Sequence, residues 1–504
     1  MNDLTNNNFA NNSASGTGVL KPAGAVPRPA QLAYHNDELA AFMHFGMNTF
    51  SGLEWGDGTE DPAIFTPEDW KAEKMVQSLL DAGFKRLVVT AKHHDGFCIW
   101  HSQYTEHHVG NSPFKRDLLA ELSAACTKLG MDMGLYLSPW DVHEPSYGYG
   151  DGNSPETDTN GDYNDYYVNQ IKEICDSPDY GRDGHFVEWW LDGAKGEGSM
   201  AQYYDFARWI RTIREGNPGI EIFGAAAEGG IHWVGNEEGF APEPCWCKLD
   251  SSYTDVGIQP KGQPYGDVWS VPETDVSINN GWFYHPYEKA KSPAHLAGIY
   301  IRSVGRGSPL LLNVPPTKAG DFAPDSYEAL QTFSESWRQT RRIKLAAEPG
   351  QVEGSSQSEL SVPENIDGLH VFGQGEEEAE LTWMFPEPQS FSLISLSEPI
   401  ELGQRISDFA VELLTEDDQW IVCSGGGSVG NLRLVTLDHV PGRGKGMTFK
   451  GIRVKLQALD GYTPLVLGSL GIHDLAPAWD TPELYKWLAV EAPNSVPGWK
   501  IQED

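Results

Sequence analysis

The sequence predicts an α/β protein in which a (β/α)8-like, TIM-type barrel is followed by an antiparallel β-sandwich. From about residue 40, short apolar runs alternate with longer amphipathic stretches, which is typical of βα units around a parallel sheet. These units continue to about residue 345 without a polar linker, which favours one barrel over two small doubly wound domains. Beyond that point, short alternating segments separated by turns predict the sandwich.

Four regions are predicted along the 504 residues. Residues 1–30 are polar and then rich in proline, so we expect a disordered or extended tail that buries too little apolar surface to order itself. The barrel is predicted at residues 31–345 and the sandwich at 346–475. Residues 476–504 form a C-terminal extension.

Six barrel strands can be located from their apolar runs, and two stay unassigned, so we expect an irregular barrel. The strands are predicted at residues 41–46, 86–91, 133–138, 186–191, 220–225 and 309–314. The helices are predicted at residues 67–82, 117–129, 164–175, 202–214 and 293–304. For the first helix, Thr66 offers an N-cap and Pro67 suits the first helical position, while Gly83 ends it.

The C-terminal region carries seven predicted strands, at residues 369–372, 381–384, 391–395, 409–414, 420–422, 452–456 and 465–472. The run of glutamates at 376–378 is predicted to be a solvated turn at a hairpin tip. The glycine-rich stretches at 425–427 and 442–446 are predicted to be turns, because they lack the spacing of a phosphate-binding loop and fall between strands. We expect the sandwich to support the barrel by packing, with sugar binding as the alternative.

Charge and hydropathy restrict the partners. Lys and Arg number 36 against 72 Asp and Glu, a net charge of −36, so the protein repels polyanions and we expect neither nucleic acid nor anionic membrane as a partner. No stretch approaches the roughly 18 consecutive apolar residues that cross a bilayer. Residues 1–18 lack the pattern of a signal peptide, which predicts a cytoplasmic location and leaves export open.

Polar residues cluster where the predicted barrel strands end. In TIM-type barrels the loops after the strands form the functional mouth. Here the first strand ends at His44, the second at His93-His94-Asp95, the third before Asp141 and the fourth at Asp192. This mouth is therefore the predicted functional site.

Two carboxylates of this mouth suit glycoside hydrolysis. Asp192 directly follows an apolar strand, although it could equally cap the next turn. The loop at residues 233–239 places Glu237 and Glu238 near an indole, where crowding and desolvation raise one pKa, although a Glu-Glu pair can also be plain solvated surface. A glycosidase needs one ionised and one protonated carboxyl group.

The histidines of the mouth suit recognition of sugar hydroxyls. His93 and His94 resemble metal ligands, but adjacent strand residues point to opposite faces of a sheet, so we predict neither a metal nor a cofactor. A neutral imidazole can donate to one hydroxyl and accept from another, and His44 would add a third such group. Indole faces for the apolar side of a sugar are offered by Trp55, Trp190 and Trp282.

Taken together, these segments resemble glycoside hydrolase family 29, the α-L-fucosidases. The resemblance runs from about His44 to Pro316. Its matching stretches are residues 43–50, 54–58, 90–97 with 104–105, 134–141, 190–193 and 281–285. The spelling of residues 54–62, 139–148 and 233–239 resembles the subfamily that prefers branched α-1,3/1,4-linked fucose, as on Lewis-type oligosaccharides.

The resemblance implies a retaining exo-glycosidase acting on a fucosylated oligosaccharide or glycoconjugate; the oligomeric state stays open. It makes Asp192 the nucleophile and Glu237 the acid/base, with Glu238 as the competing assignment. The implied fucose pocket comprises His44, Glu54, Trp55, His93, His94, Tyr136, Trp190 and Trp282. The residues implied to touch the second sugar are Asp141, His143, Glu144 and Tyr147.

Three rival interpretations remain. The first is a broad α-L-fucosidase acting on α-1,2-linked or aryl fucosides. The second, from a different class, is a catalytically silent, lectin-like fucose-binding protein. The third is a metal-dependent hydrolase that uses His93, His94 and Asp95, which sensitivity to chelators would reveal.

Overall fold

The computed structural model of the protein describes residues 19–148, 162–195, 202–252, 260–342, 353–354, 370–371, 377–437 and 447–490. The strands of its first half are β1 (Leu39–Met43), β2 (Arg86–Lys92), β3 (Asp132–Leu137), β4 (Glu188–Trp190), β5 (Glu221–Phe223), β6 (Ile231–Trp233), β7 (Lys248–Leu249), β8 (Val268–Trp269), β9 (Val271–Ser277) and β10 (Leu310–Asn313). Eight of them form a closed parallel barrel in the order β1-β10-β9-β6-β5-β4-β3-β2, while β7 and β8 pair separately. The predicted barrel is confirmed.

The helices are α1 (Pro29–Asp37), α2 (Met47–Ser51), α3 (Ala72–Asp81), α4 (Leu118–Leu129), α5 (Asp162–Cys175), α6 (Phe206–Gly216), α7 (Pro293–Arg302), α8 (Pro324–Arg342) and α9 (Pro482–Leu488). The two strands that the sequence left unassigned are β6 and β9. Between β5 and β6 the chain forms a single 3-10 turn at Ala226–Glu228, so the barrel is irregular there, as expected. No helix in the described ranges is long and apolar enough to span a membrane.

Helix α3 begins five residues later than predicted. Its N-cap is Lys71, not Thr66. The amide groups of Asp69 and Lys71 donate to the carbonyl groups of Ala319 and Gly320, each at 2.9 Å. Because the loop after β10 holds these amides, the segment from Pro67 runs along the barrel instead of coiling into a helix.

The predicted N-terminal tail is wrong for residues 19–30. Leu20 is buried, and Arg28 pairs with Glu221 of β5 at 2.7 Å. Helix α1 then places Tyr34 inside the lower end of the barrel, where its hydroxyl forms hydrogen bonds with the carboxyl groups of Glu188 and Glu273. These specific polar contacts order a segment whose composition alone offers little burial. Residues 1–18 lie outside the described part of the chain.

The C-terminal half is the predicted sandwich. Its strands are β11 (Glu353–Gly354), β12 (His370–Val371), β13 (Glu378–Gln389), β14 (Leu393–Ser397), β15 (Ile406–Thr415), β16 (Trp420–Gly426), β17 (Arg433–Thr436), β18 (Phe449–Ala458), β19 (Val466–Leu467) and β20 (Ser469–His473). An antiparallel sheet in the order β11-β13-β18-β15-β16 faces a second one in the order β17-β14-β20, and apolar side chains of both form one core.

One of the two glycine-rich stretches that were predicted to be turns belongs largely to a strand. Gly425 and Gly426 belong to β16 and pair with β15, so only Gly427 lies beyond a strand. The stretch at 442–446 lies outside the described residues, as does the predicted boundary at residue 345. In the C-terminal extension, α9 packs on α7, with the Trp487 ring stacked on His295 at 3.5 Å between centroids.

A buried ion pair fastens the barrel wall beside the mouth. The Lys92 ammonium, fully buried at the end of β2, lies 2.8 Å from Asp141 and 2.9 Å from Gln170 of α5. Lys92→Met is expected to lower the free energy of unfolding by about 3–5 kcal/mol, because it strands a buried carboxylate. Urea unfolding measures this loss. Lys455→Met, which removes a half-exposed pair with Glu412, should cost about 0–1 kcal/mol; equal losses would contradict the account.

Candidate active site

Asp192 lies at the barrel mouth, two residues beyond β4. The Tyr136 hydroxyl at the end of β3 donates to Asp192 Oδ2 at 2.8 Å, and the Ala194 amide donates to Oδ1 at 2.9 Å. The side chain is 24% exposed. Asp192 therefore does cap the following turn, and it also presents an oriented carboxylate to the mouth.

Glu237 lies in the loop after β6. The Asn236 side chain braces this loop by donating to the Phe240 carbonyl at 2.8 Å and accepting from the Glu238 amide at 3.2 Å. Glu237 Oε2 accepts a hydrogen bond from the Trp282 indole at 3.2 Å. The carboxyl group lies at the open rim, yet loss of hydration from the surrounding walls raises its pKa, and the charges of Asp192 and Glu54 raise it further.

Glu238 has different surroundings. Its backbone forms an antiparallel bridge with Val276 of β9, and its side chain is exposed. Its negative charge acts on Lys291, whose pKa burial lowers to about 8 while Glu288 and Glu238 oppose that shift. The charge of Asp192 acts on the Glu237 carboxyl group, and the charge of Glu238 acts on Lys291.

Glu54 joins two loops of the rim. Its Oε2 accepts from the Trp282 amide at 2.8 Å, and its Oε1 lies 2.6 Å from Nε2 of His285. The carboxylate thus fixes the loop that presents the Trp282 indole to Glu237. His285, whose role no single-residue signal indicated, completes this connection.

His44 and His93 stand side by side with fixed tautomers, which we assign from their partners. His44 Nδ1 donates to Asn313 Oδ1 at 2.9 Å, whereas His93 Nδ1 accepts from Asn48 Nδ2 at 3.3 Å. Burial lowers the pKa of His44 to about 3 and that of His93 well below its ordinary value. Both rings are neutral near pH 7, so Nε2 of His44 accepts and Nε2 of His93 donates.

His94 is held next to Asp192. Its Nδ1 lies 2.7 Å from Ser138 Oγ, which itself donates to the Trp140 carbonyl, so Nδ1 carries the proton. Burial lowers the pKa of His94 to about 4, although Asp192 opposes the shift. Its Nε2 lies 3.7 Å from Asp192 Oδ2, which is too long for a hydrogen bond. The neutral ring therefore forms no ion pair with Asp192 near pH 7.

The aromatic side chains lie at different depths. Trp190 is buried, stacks on Phe223 with centroids 3.7 Å apart, and donates its indole N–H to Glu273. Trp282 lies higher, 5.0 Å from the His44 ring. Trp55 is 59% exposed and meets His94 edge-on at the outer rim. Trp190 therefore belongs to the floor and Trp55 to the entrance.

The prediction that Asp141 touches a second sugar is wrong. Its carboxylate is fully buried against Lys92 and accepts from the amides of His143 and Glu144. Tyr147 is similarly enclosed and shares a hydrogen bond with Tyr204. His143 and Glu144 are half-buried on the same loop, and their contact with a second sugar stays a prediction.

Several positioning residues were missed from the sequence: Asn48, Ser138 and Asn313 hold the three histidines. Asn313 ends β10, so the same strand-end rule that selected Asp192 could have found it. Asn48 lies in the short helix α2 and carries no comparable signal. Within the described ranges, no group of three or more His, Cys, Asp or Glu side chains is arranged to hold a metal ion.

Comparison with known proteins identifies the family of this chain. Residues 41–340 match the family model of α-L-fucosidase. The Arabidopsis thaliana protein named α-L-fucosidase 1 is 36% identical over 449 residues, which cover 85% of each chain. The crystal structure of SpGH29 is 38% identical with a TM-score of 0.81, covering 90% of this chain and 99% of that one.

A Ruminococcus gnavus fucosidase of glycoside hydrolase family 29, solved in complex with fucose, is 36% identical with a TM-score of 0.80. The similarity covers 93% of this chain and 99% of that one, so it includes both the barrel and the sandwich. The family model alone spans more than half of the 504 residues. The chain therefore belongs to the α-L-fucosidases of glycoside hydrolase family 29.

Proposed function

We propose that this α-L-fucosidase is a retaining exo-glycosidase in which Asp192 is the nucleophile and Glu237 the acid/base. The observation that carries the proposal is the pairing of an oriented Asp192 carboxylate with a Glu237 carboxyl group whose pKa is raised. A glycosidase needs this division between one ionised and one protonated carboxyl group. Glu238 is disfavoured because its charge acts on Lys291 instead.

In the first step, an Asp192 oxygen bonds to C1 of the fucosyl unit as the bond from C1 to the leaving oxygen breaks. The Glu237 proton passes to that oxygen, and the aglycone departs as an alcohol. Water then adds to C1 while the bond to Asp192 breaks, and its proton returns to Glu237. Two inversions give net retention, so proton NMR should detect the α-anomer of fucose first; the β-anomer as first product would contradict the proposal.

The pocket offers the sugar both hydrogen-bonding groups and an apolar face. His93 donates and His44 accepts through Nε2, because Asn48 and Asn313 hold their Nδ1 atoms in opposite roles. The Trp282 indole offers an apolar face beside them. The R. gnavus relative, solved with fucose, supports a fucose-sized occupant.

Replacing His44 by Phe tests this recognition. The Phe ring keeps the packing against Phe42 and Trp282 but loses the accepting nitrogen, so kcat/KM for an aryl fucoside should fall about three- to tenfold. Michaelis kinetics measure the loss. His101→Phe, at an exposed histidine bonded to the Lys115 carbonyl, is the control; equal effects in both variants would remove the recognition role of His44.

We further propose a preference for α-1,3/1,4-linked fucose. Two of the segments that resemble this subfamily form one wall, since His143 Nδ1 lies 2.6 Å from the Gly58 carbonyl. Gly58 has a φ of +78°, and a Cβ there would meet the backbone of His143 at 2.8 Å, so the contact requires glycine. We propose that a branched aglycone leaves the pocket along this wall.

The linkage experiment compares Lewis-type trisaccharides with 2′-fucosyllactose at equal concentration and follows released fucose. Faster release from the trisaccharides is expected. Preference for 2′-fucosyllactose would instead favour the broad α-L-fucosidase. Saturable fucose binding without turnover of any substrate, aryl fucosides included, would favour the lectin-like alternative.

A further inference from the structure

A buried carboxyl group lies beneath the loop that carries Glu237. Asp275 is on β9, 2% exposed, and its Oδ1 accepts a hydrogen bond from the Trp233 indole at 2.7 Å. Trp233 is the last residue of β6 and stands four positions before Glu237. Side chains two apart along a strand share a face, so Asp275 lies on the same inner face of the barrel as Glu273.

The loop is attached to β9 at three successive points. The Val234 amide donates to the Glu273 carbonyl at 3.2 Å, the Trp233 indole donates to Asp275, and Glu238 forms its backbone bridge with Val276. Two of these contacts use only the backbone. Of the three, only the hydrogen bond from Trp233 to Asp275 joins two side chains, and it lies between the other two contacts along β9.

The surroundings of Asp275 favour the neutral form of its carboxyl group. Burial raises its pKa well above the ordinary value, and the charges of Glu237 and Asp192 raise it further, while the Trp233 bond opposes the shift. Glu273, two residues earlier, also has a raised pKa, from burial and the charge of Asp275. A neutral carboxyl group still accepts from an indole through its carbonyl oxygen.

We propose that Asp275 is a positioning residue that fixes Trp233 and thereby holds Glu237 where it can protonate the leaving oxygen. The inference rests on the proposed acid/base role of Glu237. Asp275 itself touches no reacting atom. Loss of its hydrogen bond leaves the loop attached by backbone contacts but frees the indole and the segment leading to Glu237.

The test is a series of aryl α-L-fucosides whose leaving groups span a range of pKa values. Asp275→Leu and Trp233→Phe are expected to steepen the dependence of kcat/KM on leaving-group pKa. The loss should be about tenfold or more for the poorest leaving group and small for the best, because impaired general acid catalysis penalises poor leaving groups most. The slope does not depend on the folded fraction, so a variant that folds poorly still gives an answer.

Asp275→Asn keeps an accepting oxygen and should retain the parental slope and pH profile. Glu173→Leu removes another bond between an indole and a carboxylate, from Trp100 to Glu173 of α5 at 2.9 Å, and should leave the slope unchanged. Unchanged slopes in both Asp275→Leu and Trp233→Phe would overturn the inference. So would an Asn variant as impaired as the Leu variant, or a steeper slope in Glu173→Leu.

The failure of the inference is distinguishable from failure of the proposed function. Glu237→Ala serves as the reference for a lost acid. If Glu237→Ala does not steepen the slope, the acid/base assignment fails, and the positioning role fails with it. If Glu237→Ala steepens the slope and Asp275→Leu does not, only the positioning role of Asp275 is overturned.

Discussion

Asp192→Ala is expected to lower kcat by roughly 10⁴- to 10⁶-fold, the size of loss seen when a hydrolase loses its nucleophile or its triad carboxylate. Without the carboxylate no covalent bond to C1 can form, and the Tyr136 hydroxyl loses its acceptor. Initial rates on an aryl fucoside measure the loss. Asp165→Ala, at an exposed aspartate paired with Arg208, should behave as the parent enzyme; a loss below tenfold in Asp192→Ala would contradict the assignment.

Added azide should restore turnover in Asp192→Ala. The small anion can occupy the space of the missing carboxylate and attack C1 while Glu237 protonates the leaving oxygen. A single displacement inverts the anomeric centre, so the product should be β-fucosyl azide. Recovery of the α-azide, or restored hydrolysis without azide in the product, would contradict the assignment of Asp192 as the group that attacks C1.

Glu237→Ala should give the second-largest effect, roughly 10²- to 10⁴-fold on natural glycans. Aryl fucosides with good leaving groups should lose far less in the first step, because their oxygen needs little protonation. Loss of hydration and the charges of Asp192 and Glu54 raise the Glu237 pKa, although the Trp282 hydrogen bond opposes the shift, so its donating form persists to higher pH. Activity of the parent enzyme should fall as pH rises through that pKa, and this alkaline decline should be absent in Glu237→Ala.

Glu238→Ala is the matched control for that experiment. Its charge acts on Lys291 and it is not the proposed acid, so natural glycans should be cleaved within a few-fold of the parental rate. The reverse ranking of the two variants would assign the acid to Glu238. Equal losses on glycans and aryl fucosides in Glu237→Ala would remove the proton-donor role.

The parts of the fold predicted from sequence are those where apolar periodicity decides the structure. Strands such as β2 are continuous apolar runs between helices and were located closely. Strand β9 was missed because its inward positions carry Glu273 and Asp275, which hydrogen bonds to indoles accommodate inside the barrel. Strand β6 was missed because it has three residues and no α-helix separates it from β5.

Prediction of the site from sequence is limited in the same way, by contacts between residues that lie far apart in the chain. The strand-end rule selected His44 and Asp192 correctly as residues of the mouth, since it depends only on chain direction in a parallel barrel. The prediction for Asp141, which came from the family resemblance, failed because the Lys92 side chain points outward beside the register shift between β2 and β3. There it contacts Gln170 and forms an ion pair with Asp141. Only the tertiary structure shows that ion pair.

The most direct test of the central claim is to trap the covalent intermediate and locate it. A 2-fluoro-fucosyl fluoride forms the enzyme ester quickly, because fluoride leaves without a proton donor. The ester is then hydrolysed slowly, because the fluorine at C2 destabilises the oxocarbenium-like transition state. Peptide mapping by mass spectrometry should find the fluorofucosyl group on Asp192. Attachment to any other residue, or rapid turnover with the β-anomer released and no ester formed, would contradict the account.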